Sequence, residues 1–195
     1  MITSSSAAGG ASDSSPVWVQ SLGGPLIVVP VSALASWGGC TASGLIAGDA
    51  TAPDDYDRAC AVDGLAGVIP LDEEGAQALV LADEPATSCY VPQHRTFLRW
   101  LAADSEAGLG AAADLVLADP ATVWEECGTW ASDGPAVLMD SAGAGSDLGV
   151  EYPGGGVPAA ATVSLPAGRW RIRATHTEAD EGSWVGLVQL LAAES

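Results

Sequence analysis

The sequence predicts an α+β fold, made mainly of antiparallel β-hairpins with one principal helix. Three observations predict it. Short apolar runs rich in Val, Ile and Leu recur along the chain, separated by Gly- and Pro-containing turns. Arg169–Thr175 alternates strictly, with Ser183–Leu191 returning as its hairpin partner, and Gln93–Ala118 is the one long stretch with apolar residues at helical spacing. With 195 residues, 48% of them hydrophobic, the chain can bury a substantial core. The expected organisation is a disordered tail over residues 1–15, small and polar without an aromatic, followed by a single domain over residues 16–195.

The first elements flank Gly23-Gly24-Pro25: Val17–Leu22 and Leu26–Val31 read as two strands of a hairpin, and Ser32–Trp37 as a helical turn stopped by Gly38-Gly39. Thr41–Thr51 reads as an exposed loop. Pro53–Cys60 follows as a short helix that turns Tyr56 and Cys60 inward, with Asp54, Asp55, Asp57 and Arg58 in or near solvent. Leu65–Leu71 and Ala78–Ala82 bracket Asp72-Glu73-Glu74-Gly75, a second hairpin with an acidic tip whose strands look buried on both faces. Cys89–Val91 is a short edge strand ended by Pro92.

Phe97, Trp100 and Leu101 fall at i, i+3 and i+4 and are followed by Leu109, Ala113, Val116 and Leu117, so Gln93–Ala118 reads as helix. Gly108 and Gly110 leave open a break into two helices. Strands return at Thr122–Thr129 and Ala136–Asp140, and, after a Gly-rich loop over Ser141–Gly156, at Ala161–Leu165. Arg169–Thr175 sends Trp170, Ile172 and Ala174 to one face and Arg169, Arg171 and Arg173 to the other, and Ser183–Leu191 returns from an acidic turn, Glu178–Gly182. A weak internal repeat, Trp18…Gly24-Pro25 against Trp130…Gly134-Pro135 and Val68…Gly75 against Val163…Gly168, leaves open two related β-rich halves beside chance agreement of common hairpin patterns.

Charge is the strongest compositional signal. Twenty-five acidic residues face six arginines and no lysine, a formal charge of −19. Such a surface repels nucleic-acid phosphates and anionic membranes, so neither is an expected partner; it attracts a basic protein and also simply keeps a protein soluble. The first residues lack the basic start and apolar centre of a secretory signal, and no run reaches the ~18 apolar residues of a membrane helix, so the expected location is cytoplasmic. Cys40, Cys60, Cys89 and Cys127 are widely spaced without a C-x-x-C pair and read as free buried thiols.

No cofactor, metal site or catalytic centre is expected. His94 and His176 are the only histidines, and neither has a nearby His or Cys at ligand spacing. Asp54, Asp55 and Asp57 lack the spacing, central Gly and terminal Glu of a calcium loop. There is no nucleophile elbow or phosphate-binding loop, and Glu125 and Glu126 point to opposite faces of a strand. Seven tryptophans are more informative: Trp18, Trp100 and Trp170 read as core, whereas Trp130 and Trp184, at strand ends, are candidate interface anchors. The arginine stripe calls for internal carboxylates or an anionic ligand.

Gly24-Pro25-Leu-Ile-Val-Val-Pro30, Leu34-Ala-Ser-Trp37-Gly38, Asp55-Tyr-Asp-Arg-Ala-Cys60, Phe97-Leu-Arg-Trp100 and the closing Gly168-Arg-Trp-Arg-Ile-Arg173 and Trp184-Val-Gly-Leu-Val-Gln189 occur together. In that combination, from about Trp18 to Leu191, the chain resembles the immunity protein 21 family of bacterial polymorphic toxin systems. The resemblance implies a small cytoplasmic antidote with an α+β fold that binds and neutralises a cognate toxin domain, with no catalytic residues to carry over. A toxin attacking nucleic acid has a basic cleft, so the candidate contacts are the acidic groups Asp54, Asp55, Asp57, Asp72, Glu73, Glu74, Glu178, Asp180 and Glu181, with Trp130 and Trp184 as anchors. Rival readings are an acidic regulatory or DNA-mimic binding protein and an enzyme of unrecognised type.

Overall fold

The computed structural model describes residues 15–40, 53–151, 155–180 and 182–193. The expected tail up to residue 14, the loop over 41–51 and Glu181 therefore lie outside the described residues. Two five-stranded antiparallel sheets dominate, and helix content is low. The first sheet runs in the order β2 (Gly67–Pro70), β3 (Gln77–Leu81), β1 (Leu26–Pro30), β7 (Ala136–Asp140), β8 (Ala160–Val163). The second runs β4 (Ser88–Val91), β5 (Thr96–Ala102), β10 (Ser183–Ala192), β9 (Gly168–Asp180), β6 (Glu125–Ser132).

The sheets share one core, with Leu26 and Val28, Leu79 and Leu81 from the first meeting Phe97, Trp130, Trp170 and Ile172 from the second. Alternation sends Ile27, Val29 and Val80 to the other face of the first sheet, where a 3-10 turn (Val31–Ser36) and α1 (Asp55–Cys60) cover them. The second sheet is covered by α2 (Glu106–Ala118), whose Leu109, Ala112, Ala113 and Val116 lie on Cys89, Leu98, Val185 and Leu187. Strands covered on both faces become continuous apolar runs, which is why β1 and β3 carry so little polarity. Every residue of β1 is buried, and Ala78–Leu81 are fully so, whereas edge strand β2 is only half-buried.

The opening hairpin does not form. Val19 alone of the first run pairs, with Ser88 of the second sheet, while β1 pairs with β3 and β7 in the first. Gly23-Gly24-Pro25 therefore carries the chain between sheets. Ser21 Oγ bonds the Gly24 carbonyl at 2.6 Å, and the Leu22 amide donates to Asp140 at 2.7 Å. Gly24 is required there, because an added Cβ would lie 2.5 Å from the Tyr56 ring.

The first third of the expected Gln93–Ala118 helix is strand β5. Phe97 and Leu98 are buried on opposite faces, one under the first sheet and the other under α2, so with Trp100 and Leu101 the apolar residues fall on both faces and imitate helical spacing. Arg95, at φ 47°, turns the chain from β4 into β5. The helix itself starts where Ser105 Oγ accepts the Gly108 amide at 3.1 Å, and it continues unbroken through Gly108 and Gly110. The final hairpin is longer than expected, because β9 extends through Glu178 to Asp180.

Pairing follows a repeated order: Val19 lies on β4 as β6 lies on β9, β1 pairs with β3 as β7 with β8, β4 with β5 as β9 with β10, and β1·β7 and β5·β10 join the two sets. The match of Trp18…Gly24-Pro25 to Trp130…Gly134-Pro135 falls on equivalent places in this order. The match of Val68…Gly75 to Val163…Gly168 does not, since the first closes a hairpin within one sheet and the second crosses between sheets.

Candidate partner-binding surface

The candidate acids divide by what their oxygens already hold. Asp54 and Asp57 form a reciprocal cap on α1, Asp54 Oδ1 accepting the Asp57 amide at 2.9 Å and Asp57 Oδ2 the Asp54 amide at 3.2 Å. Asp55 accepts from the Gly38 amide at 2.8 Å and from Arg58 at 2.7 Å, and Arg58 also donates to the Pro70 carbonyl. Asp54 and Asp57 thus hold the first turn of α1, while Asp55 ties it to Gly38 and orients Arg58 toward Pro70 of β2. Burial, then Asp54 and Asp57, push the Cys40 thiol above its ordinary pKa. Tyr56 is pushed up to about 12, first by its hydrogen bond with Cys60.

Asp72 closes the β2–β3 turn by accepting the Ala76 amide at 2.9 Å, and leaves Glu73 and Glu74 exposed. At the β9–β10 end, Glu178 and Asp180 are exposed and Trp184, directly across from Glu178, keeps 41% of its surface open. The Trp184 ring stands edge-on to His176 at 5.6 Å, and His176 Nδ1 lies 2.9 Å from Asp83 Oδ2. Trp184 thus packs against His176 on one side and is open to solvent on another.

Trp130 cannot be an anchor. It is fully buried between the sheets, and its indole donates to the Gln77 carbonyl at 3.0 Å. Its position at a strand end in sequence hid that β2 and β3 lie over it. The cysteines also depart from expectation: Cys89 is buried, Cys40 and Cys127 are partly exposed, and Cys60 is exposed, because α1 is too short to bury more than Ala59 fully.

The arginine stripe is largely answered within the chain. Arg173 lies 4.1 Å above the Trp124 ring and bonds Gln189 Oε1 at 2.8 and 2.6 Å; Arg171 lies 3.6 Å from Glu126. Sequence reasoning missed Arg99. It is buried between the sheets, donates to the Ala82 and Glu84 carbonyls, and is lowered to about 10 by burial. A Cβ at Gly186 would sit 3.1 Å from Arg99 Cβ, so the glycine makes room for the side chain.

Also missed was a groove of about 520 Å³ beside the second half of β9. Its walls include Leu115, at 58% exposure, and Val123, at 85%, with Asp119, Glu125 and Glu178 beside them. Leu115 belonged to no apolar stripe and Val123 fell within an expected strand, so nothing in the sequence marked either as exposed.

Among the described residues no group of three or more His, Cys, Asp or Glu is gathered as a metal site, and no helix is long and apolar enough to cross a membrane. No curated protein and no solved structure matches the chain. The family model of immunity protein 21 matches residues 17–183, spanning β1 through β9 and stopping just before Trp184. That match covers most of the molecule and both sheets, and by it the chain belongs to the immunity protein 21 family.

Proposed function

We propose that the chain is a cytoplasmic antidote that neutralises a cognate polymorphic toxin domain by stoichiometric binding, without catalysis of its own. The family match carries the reading. The charge of −19 supports a partner with a basic surface, such as a nuclease whose cleft binds phosphates. Glu73, Glu74, Glu178, Asp180 and Glu181, with Trp184, are the proposed contacts. Asp54, Asp55, Asp57 and Asp72, whose oxygens hold the fold, add to the field that steers the encounter. Residues 16–195 act as one domain in this reading, and the repeated pairing order supports two related β-rich halves within it.

The test is co-expression with the toxin domain encoded beside this gene. Rescue from killing, together with co-purification in a one-to-one complex, is the expected result. Continued killing, or turnover of a small metabolite by the pure protein, overturns the reading.

A further inference from the structure

Strand β9 loses a neighbour halfway along. β6 pairs with it from Gly168 to Ala174, the last pair being Ala174 with Glu125. From Thr175 to Asp180, among the described residues, only β10 is paired with its backbone. The chain before β6 does not continue along β9, because it is pinned to the end of α2: Thr122 Oγ1 donates to the Val116 carbonyl at 2.7 Å and the Ala121 amide to Asp119 Oδ1 at 2.8 Å. The groove lies between that pinned segment and the bare edge.

The main-chain groups that face the groove follow from register. The Arg169 carbonyl accepts the Ala193 amide, and the register to β10 is unbroken from there to Glu178, so odd-numbered residues of β9 as far as Thr177 turn their amides and carbonyls toward β10. Those of His176 and Glu178 then turn the other way, into the groove. A bare edge invites pairing, and proteins ordinarily block one with Lys, Pro or a bulge. Thr175-His-Thr-Glu-Ala-Asp180 has neither Lys nor Pro, and its register shift, at Ala179, lies beyond His176–Glu178. Its guards are Glu178 and Asp180, and no Lys or Arg lines the groove. Carboxylates at the rim and a charge of −19 on each molecule disfavour a second copy and favour a cationic strand.

We infer that the free edge of β9 at His176–Glu178 is where the partner docks, by adding an extended, Lys- or Arg-bearing strand of the toxin to the second sheet. This rests on the antidote reading. The added strand exchanges backbone hydrogen bonds with His176 and Glu178, lays apolar side chains against Val123 and Leu115, and meets Asp119 and Glu178 with its cations.

The test is amide hydrogen exchange on the full chain, alone and with the neighbouring toxin domain, combined with binding kinetics of Glu178→Pro and Glu178→Gln. Proline removes the amide that faces the groove and leaves the ladder to β10 intact. Slowing of the His176 and Glu178 amides by about tenfold or more in the complex is expected, with Glu178→Pro weakening binding about tenfold or more and Glu178→Gln affecting mainly association. Unslowed amides in a complex that forms and rescues cells overturn the docking edge and leave the antidote reading standing, and this arm does not depend on the variant folding. Wild-type affinity in a Glu178→Pro chain of unchanged circular dichroism overturns it as well. A dimer of the free chain with both amides already protected assigns the edge to a second copy and overturns the proposal. A wild-type chain that neither binds the toxin nor rescues cells fails the antidote reading, and this one with it.

Discussion

The two halves of β9 have similar backbones and opposite circumstances. Over Gly168–Ala174 the strand lies between β6 and β10, and Trp170, Ile172 and Ala174 are buried against the first sheet. Over Thr175–Asp180 it has β10 alone, and the opposite residue Trp184 is partly open to solvent. The difference teaches that a strand's edge and its face are set separately: alternation decides the face, while the edge depends on where another part of the chain ends. The same contrast separates the two tryptophans, since Trp130 belongs to the covered half and Trp184 to the bare one.

The largest expected effect tests that contrast directly. Trp130→Ala should cost about 3–5 kcal/mol in denaturant unfolding, because it opens a cavity between the sheets and leaves the Gln77 carbonyl without its donor. Trp184→Ala should cost less than about 1 kcal/mol yet weaken the toxin complex by tenfold or more, as a central interface aromatic does. If both lose stability alike, the end of the β9–β10 hairpin is structural and the comparison fails.

The opposite edge of the second sheet sharpens it. There β4 is covered by Val19 and α2, and burial pushes the Cys89 thiol up from 9.0 to about 12. A folded-state pKa raised in this way adds stability that is complete below the unfolded value and lost as pH rises toward the folded one. Stability should therefore fall between about pH 9 and 12, and less steeply in Cys89→Ala, as followed by urea midpoints across that range. An unchanged slope would show that α2 leaves the face of β4 open.

Smaller effects separate acids that hold the fold from acids that steer. Asp54→Ala removes the cap of α1 and should cost about 1 kcal/mol of stability, read by thermal unfolding, with little effect on toxin association beyond one lost charge. Glu73→Gln combined with Glu74→Gln should leave the unfolding midpoint within about 0.5 kcal/mol and slow association a few-fold at low salt, with dissociation changed less. Stopped-flow kinetics in which dissociation alone responded would make these residues contacts instead.

Much of the architecture was legible because local chemistry announces it. Gly75 and the acids before it close the β2–β3 hairpin as expected, Ala136–Asp140 is strand as read, and the Trp170/Ile172/Ala174 alternation gives the buried face of β9. Phe97–Leu101 was misread for a physical reason: a strand covered by a sheet on one side and α2 on the other carries apolar residues on both faces, as at Phe97, Leu98, Trp100 and Leu101, and such a run satisfies helical spacing as readily as strand spacing. Of the candidate site, the exposed acids of the two hairpin ends were legible as charge. Their division into oxygens that cap α1 and oxygens free for a partner was not.

By itself the sequence determined the class of the protein: an acidic, β-rich chain with strings that mark its family. Tertiary structure alone decided which tryptophan is buried, which carboxylates are already bonded, and where β6 leaves β9 uncovered. The reason is that hairpin turns and periodicity are contacts between near neighbours, written in adjacent residues. The end of a strand's pairing is a meeting of segments such as Glu125 and Ala174, and no local pattern records how far one runs beside the other.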